Sequence, residues 1–407
     1  MSFSMRNGNP GGATVAVLGA FGLMAEASLY DLARSPIVDK IYAADVNLGR
    51  AEAVLAKIPN RRKIKPVVVD LRDTAKAARA LKGAQAVLSC AWYEHNLKAM
   101  DVALALKAHY ADLGGLFHTT LKQLKLDAAF QKLGRVAVLG CGSTPGITNV
   151  MAAAMAEDFD ALDTVGIYDA SYDPTLAEES FLPPFSIRTM MAEYEAPAPI
   201  WEHGRLKEVP AHSRAEVMDF KAPIGRVSLG AVIHSEVATL PAYFKKKGVK
   251  NLCFKIAYPE SVKRQLAVAS GIGLGKSDKV KVDGVSVSPR DFLTALAVQN
   301  AQTASYVPSG PPKDFEILRV KVTGKKAGAP YEKVRDCEIT PIGAIAAGTA
   351  AVGFAGSMAA IMALKGSTQF AGGAAAPESA LDHALFFDEM RERKIFRMTE
   401  TAAYPVA

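Results

Sequence analysis

"VAVLGAFGLMAEASLYDLARS", Val15–Ser35, sets an apolar run, a glycine turn and a helical stretch in direct succession. Gly19, Gly22 and Ala25 fall three apart, whereas the commoner dinucleotide fingerprint sets its first two glycines two apart. The physical demands on a phosphate-binding turn are met all the same. Gly19 permits the tight turn, Gly22 lets backbone N–H groups approach a pyrophosphate at the helix start, and Ala25 keeps helix and strand close. A βα turn of purely structural purpose is the alternative.

The pattern continues outward from that turn. "TVAVLGA", "IVDKIYAADV", "KPVVVDL", "AQAVLSCAW", "YADLGG" and "RVAVLGCG" read as strands. Between them "LMAEASLYDLAR", "NLGRAEAVLAKI", "TAKAARALKG", "NLKAMDVALALKAH" and "TLKQLKLDAAFQKLG" read as helices. Strands alternating with helices in this way predict an α/β fold built on a doubly wound parallel sheet, expected over residues 1–145. The texture changes at "STPGITNV", a turn followed by a helix start. Beyond it "TVGIYDAS", "VSLGAVI", "NLCFKIAY", "KVKVDGVSV" and "FEILRVKVTGK" are strand candidates between irregular stretches, so residues 146–335 are expected to form an α+β substrate domain with a mixed or antiparallel sheet. Residues 336–407 read as helical, and "PESALDHALFFDEMRERKI" brings Leu381, Leu385, Phe386 and Met390 to helical spacing.

Composition narrows the function classes. In 407 residues, half hydrophobic and 22% charged, two cores are expected. The net charge of +7 is scattered, and "RRKIK" and "KKK" read as solvated surface, not as a nucleic-acid patch. Cys90, Cys141, Cys253 and Cys337 lack the spacing of a zinc site or a disulfide framework. The start, "MSFSMRNGNPGG", has no signal-peptide core, so a cytoplasmic location is expected. "PIGAIAAGTAAVGFAGSMAAIMALKG" carries no charge from Pro341 to Leu364, long enough for a bilayer, but its Ala and Gly content favours close packing inside protein. A buried helix, or two helices broken near Gly353 to Gly356, is the reading, and not a membrane span.

In a sheet of this kind ligands bind outside the carboxyl ends of the strands. Asp45 ends the second strand, where a carboxylate accepts the ribose hydroxyls and repels a 2′-phosphate. NAD is therefore favoured, with NADP left open because Arg50 lies on the next helix. The loops "CAWYEHN", "DLGGLFH" and "GCGSTPG" converge on the same crevice and offer Tyr93, His95, Asn96, Asp112 and His118. The residues expected to line the cofactor are Gly19, Phe21, Gly22, Leu23, Asp45, Cys90, Ala91, Gly114 and Thr144. No metal site is expected.

Taken in order, "VLGAFGLMAEAS", "ADVNLGRAE", "CAWYEHNLKAMDVALALKAHYADLGG", "LGCGSTPGITNV", "FSIRTMMAEYEAPAPIWEHGRLKEVPA", "HSEVATLP" and "APESALDHALFFDEMRERKI" resemble the saccharopine dehydrogenase superfamily, and within it the lysine 6-dehydrogenase-like branch. The resemblance implies a Rossmann domain, a second domain that often dimerises, a C-terminal segment packing back on the first, and nicotinamide-dependent oxidation at a C–N bond of an amino acid or related amine. The partners implied are a small amine substrate and a second copy of the chain. The alternatives are an opine-type or saccharopine-reductase condensation of an aldehyde or keto acid with an amino acid, and a cofactor-binding sensor without turnover. "HSEVA" departs from the "HTSGG" of lysine dehydrogenases and introduces Glu236; "FSIRT" introduces Arg188. On this reading Glu236 would hold a substrate ammonium and Arg188 a carboxylate. Tyr93, Asp112 and His234 are the candidates for proton handling or substrate orientation, and Asn96 is a hydrogen-bonding anchor.

Overall fold

The computed structural model describes residues 12–175, 186–303 and 310–403. The expected loose polar start lies, apart from Gly12, outside the described residues. The first sheet uses β1 (Ala13–Leu18), β2 (Val38–Asp45), β3 (Ile64–Val68), β4 (Ala86–Ser89), β5 (His109–Asp112) and β6 (Val136–Val138) in the spatial order β6-β5-β4-β1-β2-β3, every pair parallel. The order reverses between β1 and β4, which opens a crevice at their carboxyl ends. Along β1, Val15 and Val17 enter one core while Ala16 and Leu18 enter another. The period of two therefore buries both faces, and the run reads as continuously apolar.

The second sheet is mixed. Its centre is β7 (Ala161–Tyr172), flanked by a parallel neighbour, Asn251–Ala257, and an antiparallel one, Phe315–Lys326. The latter continues through a hairpin into Ala329–Ile339, turning at Ala327 and Gly328, both with positive φ. Arg226–Ala231 and Glu216–Asp219 extend the other side, and the hairpin of Ala198–Glu202 with Arg205–Val209 leans on Asn251–Ala257.

The C-terminal segment departs from the helical expectation in two respects. Residue 336, its expected start, falls inside the strand Ala329–Ile339, and two later strands occur in the tail. Gly373–Ala375 adds a seventh, parallel strand beside β6, and Phe396–Ala403 pairs antiparallel with Ala329–Ile339 in the second sheet. The tail thus stitches the two sheets together. Its uncharged stretch is one unbroken helix, Ala347–Lys365, long and apolar enough to cross a membrane by length and composition, yet with 83% of its most apolar window buried in protein. The Gly353 backbone sits against the helix Leu23–Arg34: a Cβ there would lie 2.5 Å from the Ala27 side chain, and Ser28 Oγ donates to the Gly353 carbonyl at 2.9 Å. Small residues allow two helix backbones to approach this closely. In the following helix, His383–Arg393, Phe386 and Met390 are buried, but Leu385 faces solvent.

Candidate active site

The glycine turn is built as its sequence implies. Gly19 has φ +69°, and a Cβ on it would stand 2.8 Å from the Ala91 backbone, so only glycine lets the turn close against the loop after β4. Gly22 caps the helix Leu23–Arg34 in extended conformation with no side-chain cap. The first N–H groups of that helix therefore face the crevice without a side chain over them. Asp45 lies partly exposed at the end of β2, its carboxylate accepting from the Phe21 N–H at 3.1 Å and the Asn47 N–H at 3.2 Å. It fixes the turn and keeps lone pairs for a ribose. These features fit a dinucleotide: a helix N-terminus for the pyrophosphate, a carboxylate for the ribose, and a Gly19–Ala91 approach that leaves no room for a side chain. Phe21 contributes its backbone only, since its ring is buried in the core. Leu23 is exposed at the helix start, and Arg50 is exposed just before the helix Ala51–Leu55.

Asp112, Asn96 and Cys90 have hydrogen-bond partners within the protein. Asp112 is wholly buried, and its carboxylate accepts from Gly114 N–H at 3.0 Å, Gly140 N–H at 2.8 Å and Gln123 Nε2 at 2.5 Å. It clamps the loops after β5 and β6 together. Asn96, also buried, accepts from Ser89 Oγ and donates to the Gly114 carbonyl, so it joins the loops after β4 and β5. Cys90 contacts Ser28 Oγ at 3.6 Å, and burial pushes its thiol up to about 12. His118 is exposed on the helix Leu116–Gln123.

A cluster of titratable groups lies where the loop after β6 meets the second sheet. Thr144 Oγ1 donates to Asp169, near the carboxyl end of β7, at 3.4 Å. His234, following the strand Arg226–Ala231, bonds through Nδ1 to Glu236 Oε2 at 2.5 Å and stacks on Phe254 with ring centroids 3.9 Å apart. Its Nε2 makes no hydrogen bond among the described residues. Glu236 thus orients an imidazole, and its second oxygen, Oε1, is buried with no hydrogen-bond partner among the described residues. Glu193, from the helix Ile187–Glu195, accepts from the Tyr258 hydroxyl at 2.5 Å.

Electrostatics bind these groups into one unit. Burial pushes the Asp169 carboxyl up to about 7, helped by Glu193 and Glu236 and opposed by His234. Burial likewise pushes Glu193 up to about 7, with His234 and the Tyr258 hydrogen bond opposing. At His234 burial disfavours the proton, but Glu236, Glu193 and Asp169 outweigh it and hold the imidazole above its ordinary value. Opposite stands the loop after β4. Burial and Glu94 raise the half-buried Tyr93 phenol, which also feels Arg290 and Glu193. Arg188 and Arg290 lie over the Trp92 ring at 4.6 and 5.3 Å, and Arg188 is held by Asp291 at 2.6 Å and Thr294 at 3.1 Å.

Two family models match end to end: the saccharopine dehydrogenase NADP binding domain over residues 15–138 and the saccharopine dehydrogenase C-terminal domain over residues 142–395. The chain belongs to the saccharopine dehydrogenase family. As a member it carries that family's dinucleotide-binding domain, and its cofactor is a nicotinamide dinucleotide, NAD or NADP. Saccharopine dehydrogenase (L-Glu forming) of Saccharomyces cerevisiae shares the fold, with a TM-score of 0.73 over 96% of this chain and 100% of that one at 16% identity. Carboxynorspermidine synthase of Vibrio alginolyticus is 24% identical over 64% of this chain and 66% of its own length; that of Vibrio cholerae is 26% identical over 49% and 46%. Carboxyaminopropylagmatine dehydrogenase of Synechocystis is 23% identical over 72% of this chain and 74% of its own length. The chain thus spans just under two thirds of the first relative and about half of the second.

Sequence reasoning named Thr144, His234, Glu236, Arg188 and Tyr93 but passed over Asp169, Glu193, Tyr258 and Arg290. A signal for the first was present. In "TVGIYDASY" a lone carboxylate interrupts an apolar strand, and a buried charge of that kind marks either a partner or a site.

Proposed function

We propose that this saccharopine dehydrogenase family member joins an aldehyde bearing a carboxylate to an amine and reduces the product to a secondary amine, with NAD(P)H as reductant. Aldehyde and amine lose water to form an imine; the imine then takes up a hydride and a proton, leaving NAD(P)⁺. The observation that carries the reading is the His234–Glu236 pair, set among buried carboxylates beside Thr144, with no hydrogen bond to its second ring nitrogen among the described residues. The dinucleotide, its pyrophosphate held at the glycine turn, would supply the hydride from its nicotinamide.

The chain's own residues handle protons and position. His234 takes a proton from the reacting ammonium, so that the amine can attack, and gives one back as the carbinol loses water. Glu236 holds Nδ1 and leaves Nε2 to face the substrate. Arg188 and Arg290, aligned on Trp92, hold the carboxylate, and Tyr93 orients the reacting carbon. The names of the Vibrio and Synechocystis relatives, carboxylated polyamines in each case, support a product with both amine and carboxylate. Oxidative deamination of lysine needs one amine and releases ammonia; the condensation needs two substrates and releases none.

Product analysis tests the assignment. NADH or NADPH is incubated with the protein, a semialdehyde that carries a carboxylate, and a panel of amines. Mass spectrometry should find the coupled secondary amine. Reduction of NAD⁺ or NADP⁺ by lysine alone in a parallel incubation, with ammonia release and no coupled product in the first, would replace this reading with the deamination.

A further inference from the structure

We propose that Glu378, from the C-terminal tail, is a positioning residue for the His234–Glu236 pair: as a carboxylic acid it starts a chain of hydrogen bonds that runs through the Thr239 hydroxyl to the second oxygen of Glu236. The proposal rests on the reading of His234 as the group that moves protons.

The tail reaches the site by sheet pairing. Gly373–Ala375 lies parallel to β6, so both strands end at the crevice. The chain that follows, the short helix Pro377–Ala380, stands beside the loop after β6 and packs against the helices Ile147–Ala156 and Glu236–Tyr243. Glu378 is buried there. Its Oε2 accepts from Asn149 Nδ2 at 2.9 Å, and Asn149 Oδ1 accepts from the Gly146 N–H at 3.2 Å. Gly146, with φ +133°, closes the loop that carries Thr144, and a Cβ on it would overlap the Gly142 carbonyl. One oxygen of Glu378 is thus engaged in fixing the Thr144 loop.

The other oxygen faces the His234–Glu236 pair. Glu378 Oε1, Thr239 Oγ1 and Glu236 Oε1 are all buried and have no hydrogen-bond partner among the described residues. Thr239 lies one helical turn beyond Glu236, on the same face, and is near enough to Glu378 for its hydroxyl to favour the charged carboxyl. With both acids ionised, the three oxygens share a single hydrogen, that of the hydroxyl, and one of them stays unsatisfied. One added proton removes the deficit. Glu378 Oε1 then donates to Thr239 Oγ1, whose own hydrogen serves Glu236 Oε1.

The surroundings decide which acid carries that proton. Glu236, bonded to His234, is the anion that an imidazolium needs. The titratable groups facing Glu378 are Glu236 and Tyr243 from one helix and Cys141 from the loop after β6. His383 turns instead to the main-chain carbonyl of Glu378, at 2.9 Å, and to Glu157. Burial, with Glu236 adding to it, holds the Glu378 carboxyl above its ordinary value against the Thr239 and Asn149 hydrogen bonds. Two buried acids this close do not both ionise readily, and the proton falls to Glu378.

Spectroscopy and pH profiles test this together. Difference infrared spectra of the parent protein against Glu378→Gln at pH 7, without substrate, should show the carbonyl stretch of a protonated carboxyl in the parent alone; carboxylate stretches in its place would overturn the proposal. Glu378→Met and Thr239→Val, each checked by thermal melting and for unchanged cofactor affinity, leave Glu236 Oε1 without a donor. The limb of the pH–rate profile in which the His234–Glu236 pair takes up a proton should then move to higher pH, by about one unit, the worth of a charge-assisted hydrogen bond. Glu378→Gln, which keeps an acceptor for Asn149 and supplies a donor to Thr239, should bring the limb back toward its parent position. A shift to lower pH in both Glu378 variants would show that an ionised carboxylate had been lost, and an unmoved limb would leave Glu378 a purely structural contact; either result overturns the proposal. If the infrared band is present but no coupled product forms, the condensation fails and the state of Glu378 stands.

Discussion

At the residue scale the decisive relation is between His234 and the charges around it. Its proton is held by Glu236 in direct contact, with Glu193 and Asp169 behind. Replacing Glu236 by Gln removes the largest support for the imidazolium, so the His234-dependent limb of the pH–rate profile should move to lower pH in both reaction directions. His234→Asn should lower kcat by about 10²–10⁴, the usual worth of a general acid–base group, and leave cofactor affinity unchanged. An unaltered pH profile in Glu236→Gln would remove His234 from the chemistry.

The same cluster makes stability depend on pH in a defined sense. Asp169 and Glu193 titrate at about 7 in the folded chain, against ordinary values of 3.8 and 4.5. In between, the folded state binds more protons than the unfolded one, so stability falls as pH rises and levels off above about 7. His234, its proton affinity also raised, adds in the same sense. Urea melts of the cofactor-free protein at pH 5 to 8 should show this decline, and the Asp169→Asn, Glu193→Gln double variant should flatten it and be the more stable protein at pH 8. This part of the site was hardly legible in the sequence. Asp45 and the glycine turn could be read locally, because strand, turn and helix adjoin in the chain. Asp169 and Glu193 acquire meaning only when β7 meets the Thr144 loop, a contact that no local period encodes.

At the element scale two glycine positions separate cofactor binding from folding. Gly22 has ordinary extended backbone, φ −73° and ψ 166°, and a Cβ there meets only the Gly19 carbonyl at 3.2 Å. Gly22→Val should therefore fold but place a branched side chain before the open N–H groups of the helix, and NAD(P)H affinity measured by fluorescence should fall tenfold or more, about 1.4 kcal/mol. Gly353 is the converse. Any side chain there collides with Ala27, Met24 and Ser28 backbone or Cβ atoms at 2.5 to 2.8 Å, so Gly353→Leu should destabilise by about 1–3 kcal/mol in denaturant melts whether or not cofactor is bound. Strands buried on both faces, such as β1 and β7, were read from their apolar runs, and the exposed hairpin Val280–Val282 with Val285–Val287 from its β-branched alternation. Those missed were half-exposed or short. "RLKEV" and "APYEKVRDCEI" carry charge at their solvent positions, and "GAA" at Gly373 has no β-branched residue; its strand exists because the edge of β6 was available.

At the scale of the whole molecule the C-terminal segment decides how the two sheets are held. It runs along the helix Leu23–Arg34, adds a strand to the first sheet and ends as a strand of the second. Composition could show that residues 341–364 were buried, but not that the tail would return to both sheets, since each pairing depends on an edge formed far away in the chain. A buried ion pair locks this arrangement. Arg393 donates to Asp31 at 2.8 and 3.1 Å and to Glu389 at 2.8 Å, and Ser357, on the long helix, also donates to Asp31. One carboxylate of the first helix is thereby tied to two elements of the tail. Arg393→Ala leaves Asp31 buried without its cation and should cost about 3–5 kcal/mol. Replacing both partners with apolar residues, Asp31→Leu with Arg393→Met, should recover most of that loss, because the penalty lies in the uncompensated charge and not in the missing attraction. Thermal melts of the single and double variants measure the difference. If Arg393→Ala melts with the parent protein, the tail is held by its two strand pairings and the apolar helix contact, and the ion pair only fills space between them.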